Sequence, residues 1–256
     1  MQDRQSQPRI GCVKYLNARP LIAGWPGPVA LDHPSALCQR LARGELDIAL
    51  VSSFEFLRNP AYRIVDDIAI ASDGPVYSVV VAHREELSRV DEIELDPASE
   101  TSVNLLRHLL AQRGLNPHLV ARSTSSSATT AQLLIGDQAI RFRQSHPDFQ
   151  FWDLGEAWKA TVDLPFVYAL WLIRPEVPDA EGIAQKLRAL RDANLGKIDK
   201  LIAQETEFDP EFCRRYYREN LRFNFGEREK KGLQTFADAC AKLDLIPKRK
   251  LDVDLQ

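Results

Sequence analysis

No apolar run in this chain approaches the roughly 20 residues that a membrane-spanning helix needs. Cysteine is sparse: Cys12, Cys38, Cys213 and Cys240 are scattered and form no C-x-x-C pair. Cys38 and Cys240 fall on apolar faces of helical patterns, so the cysteines read as reduced packing residues and not as a disulfide framework. Neither sign of charge is in excess, since 33 Lys and Arg against 36 Asp and Glu leave a net charge of −3. That balance gives no global attraction for nucleic acid or an acidic membrane, so an anionic ligand has to be held by local groups. The phosphate, dinucleotide and zinc-protease patterns G-x-x-x-x-G-K-[ST], G-x-G-x-x-G and H-E-x-x-H are missing, and so is G-x-S-x-G. The five histidines do not cluster: His108 lies among leucines, while His33, His83, His118 and His146 sit at strand or loop edges. Neither a metal site nor a cofactor is expected. The stretch from Met1 to Pro8 is polar and lacks the apolar segment of a secretory signal. The expectation is a cytoplasmic protein that binds a small molecule, with no nucleic-acid or membrane partner.

What the chain does have is an ordinary globular balance, 45% hydrophobic and 27% charged, over 256 residues, enough for one large domain or two of common size. Short β-type runs alternate with helical ones. Ile10–Val13, Pro28–Leu31 and the apolar run Asp47–Val51 read as strands, with a helix from about Pro34 to Gly44 between the last two. This β-α-β-α-β order predicts a parallel α/β sheet. Two long extended segments follow, Tyr62–Ala71 and Val76–His83, the second resembling a strand that passes between domains. A further α/β unit starts at Ile93–Asp96, with a strongly apolar helix near Thr101 and strand candidates at Leu119–Arg122, Gln132–Ile135 and Phe149–Leu154. Phe166–Ile173 reads as the return crossing, and everything from Asp179 onward is helical. The expected architecture is an α/β fold of two lobes with a ligand cleft between them. Residues 1–79 with 175–256 form a discontinuous first lobe, and 80–174 form an inserted second lobe. No internal repeat is evident, and the Ser-rich patch Ser123–Thr130 is expected to be a surface loop.

Several polar residues fall where such an architecture points them into the cleft. Asn17, in Tyr15-Leu16-Asn17-Ala18-Arg19-Pro20-Leu21, follows the first strand; an Asn there serves either as a helix cap or as a ligand-facing amide. Ser52 and Ser53 end the strand Asp47–Val51, again as caps or as ligand donors. Ser78 is a small polar residue in an apolar crossing strand, either tolerated packing or function. Ser99, Thr101 and Ser102 open the apolar helix, where capping a helix start is compatible with offering N–H groups to a carboxylate. Asp153, at a strand end before Gly155-Glu156, is either a turn residue or a cleft residue.

Read together, eight segments spanning nearly the whole chain resemble the chorismate dehydratases of the futalosine route to menaquinone. Gly11-x-x-x-Tyr15-Leu16-Asn17-x-x-Pro20-Leu21 is similar to that family's opening, and Gly44–Val51 with Phe54-Glu55-Phe56 to its next segment. Ile70-Ala71-Ser72-x-Gly74-Pro75-Val76-x-Ser78-Val79 and Leu95-Asp96-x-x-Ser99-x-Thr101-Ser102-Val103 continue the likeness. Leu133–Asp137, Asp153-Leu154-Gly155-Glu156-x-Trp158, Leu164–Val167 and Tyr217-x-x-Glu219-Asn220 complete it in order. The resemblance implies a type II periplasmic-binding-protein-like fold used as a cofactor-free hydro-lyase that converts chorismate to 3-[(1-carboxyvinyl)oxy]benzoate. It maps the family's functional Asn and Ser onto Asn17 and Ser78. Lys14 and Arg19 depart from the more neutral flank common there. Two other classes stay open at this level: a cytoplasmic binder or sensor of a small carboxylate, and the sister enzyme that forms 1,4-dihydroxy-6-naphthoate.

Overall fold

The computed structural model describes residues 7–121 and 131–251, so the Ser-rich patch 123–130 lies outside the described residues. The chain opens with β1 (Ile10–Val13), a single 3-10 turn at Leu16–Ala18, α1 (Arg19–Ile22), β2 (Val29–Asp32) and α2 (Pro34–Ala42). It continues through β3 (Ile48–Ser52), α3 (Ser53–Arg58), β4 (Arg63–Ser72), β5 (Val79–His83), β6 (Glu92–Leu95) and α4 (Glu100–Gln112). Then come β7 (His118–Ala121), β8 (Ala131–Ile135), α5 (Gly136–Ser145), β9 (Gln150–Asp153), α6 (Leu154–Val162) and β10 (Phe166–Ile173). Four helices close the chain: α7 (Ala180–Leu195), α8 (Ile198–Ala203), α9 (Pro210–Arg215) and α10 (Glu227–Lys242).

Among the described residues the strands form two five-stranded sheets, in the orders β2-β1-β3-β10-β4 and β7-β6-β8-β5-β9. Each sheet has three parallel strands, and its fourth runs antiparallel to its neighbours. The wholly parallel sheet expected from the β-α-β order is therefore corrected to a mixed one, and the cause is the crossing. β5 and β10 each enter their sheet from the other lobe. They arrive at the carboxyl ends of the parallel strands and must run away from them. The shared strand order is a repeat of topology; it leaves no trace in residue identity. β10 also corrects the lobe boundary, because it pairs with β3 and β4 in the first sheet. The return crossing is the short segment 163–165, not the strand Phe166–Ile173 itself. Eight consecutive apolar residues carry no mark of which sheet they will join.

All five residues of β3 and all eight of β10 are buried, as expected for central strands covered on both faces. α2 packs on β1 and β3, α10 on β10 and α7 on β4, so the C-terminal helices cover the first sheet. α10 also touches α4 of the second lobe. Cys12, Cys38, Cys213 and Cys240 are buried and unbridged. Among the described residues no helix is long and apolar enough to cross a membrane.

The outward crossing, residues 73–78, is held by one carboxylate. Asp153 caps α6 by accepting the N–H groups of Gly155 and Glu156 at 3.0 and 3.1 Å. It also accepts those of Val76 and Tyr77 at 3.0 and 2.7 Å. Tyr77 is left-handed at φ 67°, a conformation that a bulky residue adopts only when its surroundings hold it. Its ring lies between Phe212, at 5.0 Å, and the Arg143 guanidinium, at 4.2 Å. Gly155 is required at this junction, since a Cβ there would lie 2.6 Å from the Gly74 carbonyl oxygen and 2.7 Å from the Tyr168 hydroxyl. Asp153→Ala strands four backbone donors, and its expected cost is roughly 3 kcal/mol or more. Denaturant unfolding measures this; a loss below about 1 kcal/mol would mean that water replaces the carboxylate without strain.

Candidate active site

The carboxyl ends of β1, β3 and β8 and the start of α4 face one cleft with about 470 Å³ of empty space, part of it open to solvent. Its walls include Tyr15, Asn17, Ser52, Ser78, Ser99, Ser102, Gly136 and Tyr168, with Val13, Pro34, Ile70, Val76 and Ile135 supplying apolar surface. Among the described residues no Lys, Arg, His, Asp or Glu lines it. Lys14 is exposed outside it, and Arg19 turns away to pair with the buried carboxylate of Glu205. The positive flank noted in the sequence therefore lies outside the cleft.

Of the residues singled out from sequence, Asn17, Ser52, Ser78, Ser99 and Ser102 come together here. Asn17 is not a cap. Neither the 3-10 turn nor α1 has a side-chain cap bond, and Asn17 Oδ1 is buried without a partner. Ser78 is fully buried at the end of the crossing segment, and its hydroxyl oxygen accepts the Tyr216 O–H at 2.7 Å. Ser99 caps α4 by accepting the Ser102 N–H at 3.4 Å, and Ser102 also donates its hydroxyl to Ser99 at 3.2 Å.

Ser53, Thr101 and Asp153 do not line the cleft. The Ser53 hydroxyl donates to the Val167 carbonyl at 2.7 Å, which ties α3 to β10. Thr101 is fully buried; its hydroxyl bonds Ser52 and accepts the Phe54 N–H at 2.9 Å, joining the two lobes. Asp153 is spent on four backbone donors, two of the crossing and two at the start of α6. These three are close to the cleft in sequence, but backbone groups nearer to them claim their hydrogen-bonding capacity.

Residues that spacing alone did not select complete the site. The Tyr15 ring lies over Gly136, where a Cβ would come 2.8 Å from it, and Gly136 is left-handed at φ 57°. Leu16, just before Asn17, is pinned from two sides. Its N–H donates to Asp137 at 2.8 Å, and its carbonyl accepts the Tyr217 hydroxyl at 2.9 Å. Tyr216 and Tyr217 are adjacent and both buried, because Tyr216–Asn220 forms a wide π turn after α9. Such turns recur at functional sites. A 3.6-residue period does not foresee two successive inward side chains.

Burial raises the Asp137 carboxyl from its ordinary 3.8 to about 6, against the lowering effect of the Leu16 N–H and Arg141. The folded protein then holds this proton more tightly than the unfolded chain. Its contribution to stability is full below pH 3.8 and is lost as pH rises through about 6. Asp137→Asn keeps an acceptor for Leu16 and removes the titration. Relative to the wild type, the variant is expected to gain up to about 3 kcal/mol between pH 4 and pH 7. Denaturant midpoints at both pH values check it, and a pH-independent difference would place the carboxyl's titration elsewhere.

Comparison with known proteins now has a geometry to meet. The pattern of a menaquinone biosynthesis family matches residues 8–242. A protein of Thermus thermophilus named chorismate dehydratase is 30% identical, over 90% of this chain and 94% of its own length. One of Campylobacter jejuni with the same name is 26% identical, over 90% of this chain and 92% of its own. Among solved structures, a protein of Archaeoglobus fulgidus superposes with a TM-score of 0.72 at 18% identity, covering 93% of this chain and 98% of that one. The alkanesulfonate-binding protein SsuA of Xanthomonas axonopodis follows with a TM-score of 0.63 at 16% identity, covering 95% of each chain. The two-lobed, periplasmic-binding-protein-like α/β fold is thus shared with solute-binding proteins. With its sequence pattern matched from residue 8 to residue 242, the chain belongs to the menaquinone biosynthesis family.

Proposed function

We propose that this protein is a chorismate dehydratase, a carbon–oxygen hydro-lyase forming 3-[(1-carboxyvinyl)oxy]benzoate and water in menaquinone biosynthesis. The observation that carries the reading is Asn17 Oδ1, a buried acceptor without a partner on the wall of a cleft free of charged side chains. The family membership and the names of the two relatives support the same activity.

Chorismate bears two carboxylates, a ring hydroxyl and, on the adjacent carbon, the enolpyruvyl ether. In the dehydration the C–H bond on the ether-bearing carbon breaks and its electron pair becomes the third ring π bond. The neighbouring C–O bond breaks with its pair going to oxygen, which leaves as water once it has taken up a proton. Aromatisation makes the step strongly downhill, so the protein's task is to hold the ring in the eliminating geometry and to suppress rearrangement or loss of pyruvate.

Asn17 accepts from, and so orients, the departing hydroxyl. Ser78 donates to one carboxylate. Ser52 and the start of α4, with Ser99 and Ser102, meet the other carboxylate with hydroxyls and the positive end of a 13-residue helix. Among the described residues no carboxylate, imidazole or amine side chain lines the cleft to take the ring proton. A carboxylate of the substrate itself therefore receives it before it passes to the departing oxygen.

Asn17→Ala and Ser78→Ala are each expected to lower turnover by about 100-fold or more. The loss of chorismate absorbance gives the rate, and chromatography identifies the benzoate ether. Near wild-type turnover in both variants would remove these residues from the site. Binding of chorismate without conversion by the wild type would leave a binder in place of an enzyme.

A further inference from the structure

We infer that Tyr216 is a positioning residue that sets the direction of the hydrogen bond at Ser78, leaving the serine as a donor toward the cleft. The inference deepens the site described above and rests on the dehydratase reading for what occupies that site.

A neutral phenol has one proton to give, and Tyr216 donates it to Ser78 Oγ at 2.7 Å. Burial keeps that phenol neutral by pushing its pKa well above the ordinary value. Ser78, having accepted from Tyr216, keeps its own proton for another acceptor, and its side chain lines the cleft.

Tyr216 is outside the cleft lining, fully buried, and stacked on Phe212 with ring centroids 5.6 Å apart and planes 14° from parallel. It acts through Ser78 and does not touch the ligand space. Without the phenol's proton, the Ser78 hydroxyl would be free to turn its own proton away from the cleft.

The test is Tyr216→Phe, which keeps the ring and its stacking and removes the hydroxyl. Its kcat for chorismate is expected to fall about 10- to 100-fold while KM stays within about threefold. The Ser78→Ala, Tyr216→Phe double variant is expected to be no slower than Ser78→Ala alone. In a crystal structure of Tyr216→Phe, the Ser78 side chain is expected to leave its present orientation. A kcat within about threefold of wild type, losses that multiply in the double variant, or a lowered melting temperature with unchanged kcat per folded molecule would each overturn the role. If the wild-type protein does not consume chorismate, the dehydratase reading falls, and the crystallographic arm still decides this one. A reoriented Ser78 side chain would support the positioning role, and an unchanged one would overturn it.

Discussion

Each sheet of this protein is completed by a strand that comes from the other lobe, and that exchange constrains everything else. A strand entering from outside can join only at the open, carboxyl end of the parallel strands, so both crossings lie at the cleft. The residues that join the lobes are then also neighbours of the ligand space. Ser78 ends one crossing, and Tyr168 and Ala169 lie near the start of the strand that follows the other. Asp153 holds the first crossing by its backbone, while Thr101, on the second lobe, bonds Ser52 and the Phe54 N–H on the first. Lobe closure and site assembly are the same set of hydrogen bonds.

On the proposed reading, a dianionic ligand is accommodated without a cation. A buried Lys or Arg would have to be desolvated in the empty cleft, at a cost that hydroxyls and helix ends do not incur. Fixed dipoles need no reorganisation when charge moves from the ring to the departing oxygen. A neutral lining has a second effect in that proposal. The substrate's own carboxylate is then the proposed proton acceptor, and a reaction that aromatises a ring does not need a stronger one.

Much of the fold was legible from pattern. β10 was read with its observed bounds, and β1, β3 and the alternation of strands and helices fall within a residue or so of expectation. Sheet membership was not legible, because Phe166–Ile173 is equally apolar whichever sheet it joins. For the site, a strand end, the crossing strand and a helix start were enough to select Asn17, Ser52, Ser78, Ser99 and Ser102, which line the cleft. The same signals also selected Ser53, Thr101 and Asp153, which do not line it because neighbouring groups claim their hydrogen bonds. They gave no sign of Tyr216, whose bond to Ser78 depends on a turn with the wrong period more than a hundred residues downstream.

The C-terminal helices look at first like a cover for the first sheet, and α7 and α10 do serve as one. The segment between them does more. Tyr217 holds the carbonyl of Leu16 while Asp137, from the second lobe, holds its N–H. Two parts of the chain distant in sequence therefore grip one residue, and that residue precedes Asn17. An amide on a free turn samples both of its faces; an amide whose neighbour is fixed at both backbone groups does not. The rigidity that an orienting residue needs is supplied here by tertiary contacts, since a 3-10 turn of three residues has too few hydrogen bonds of its own to provide it.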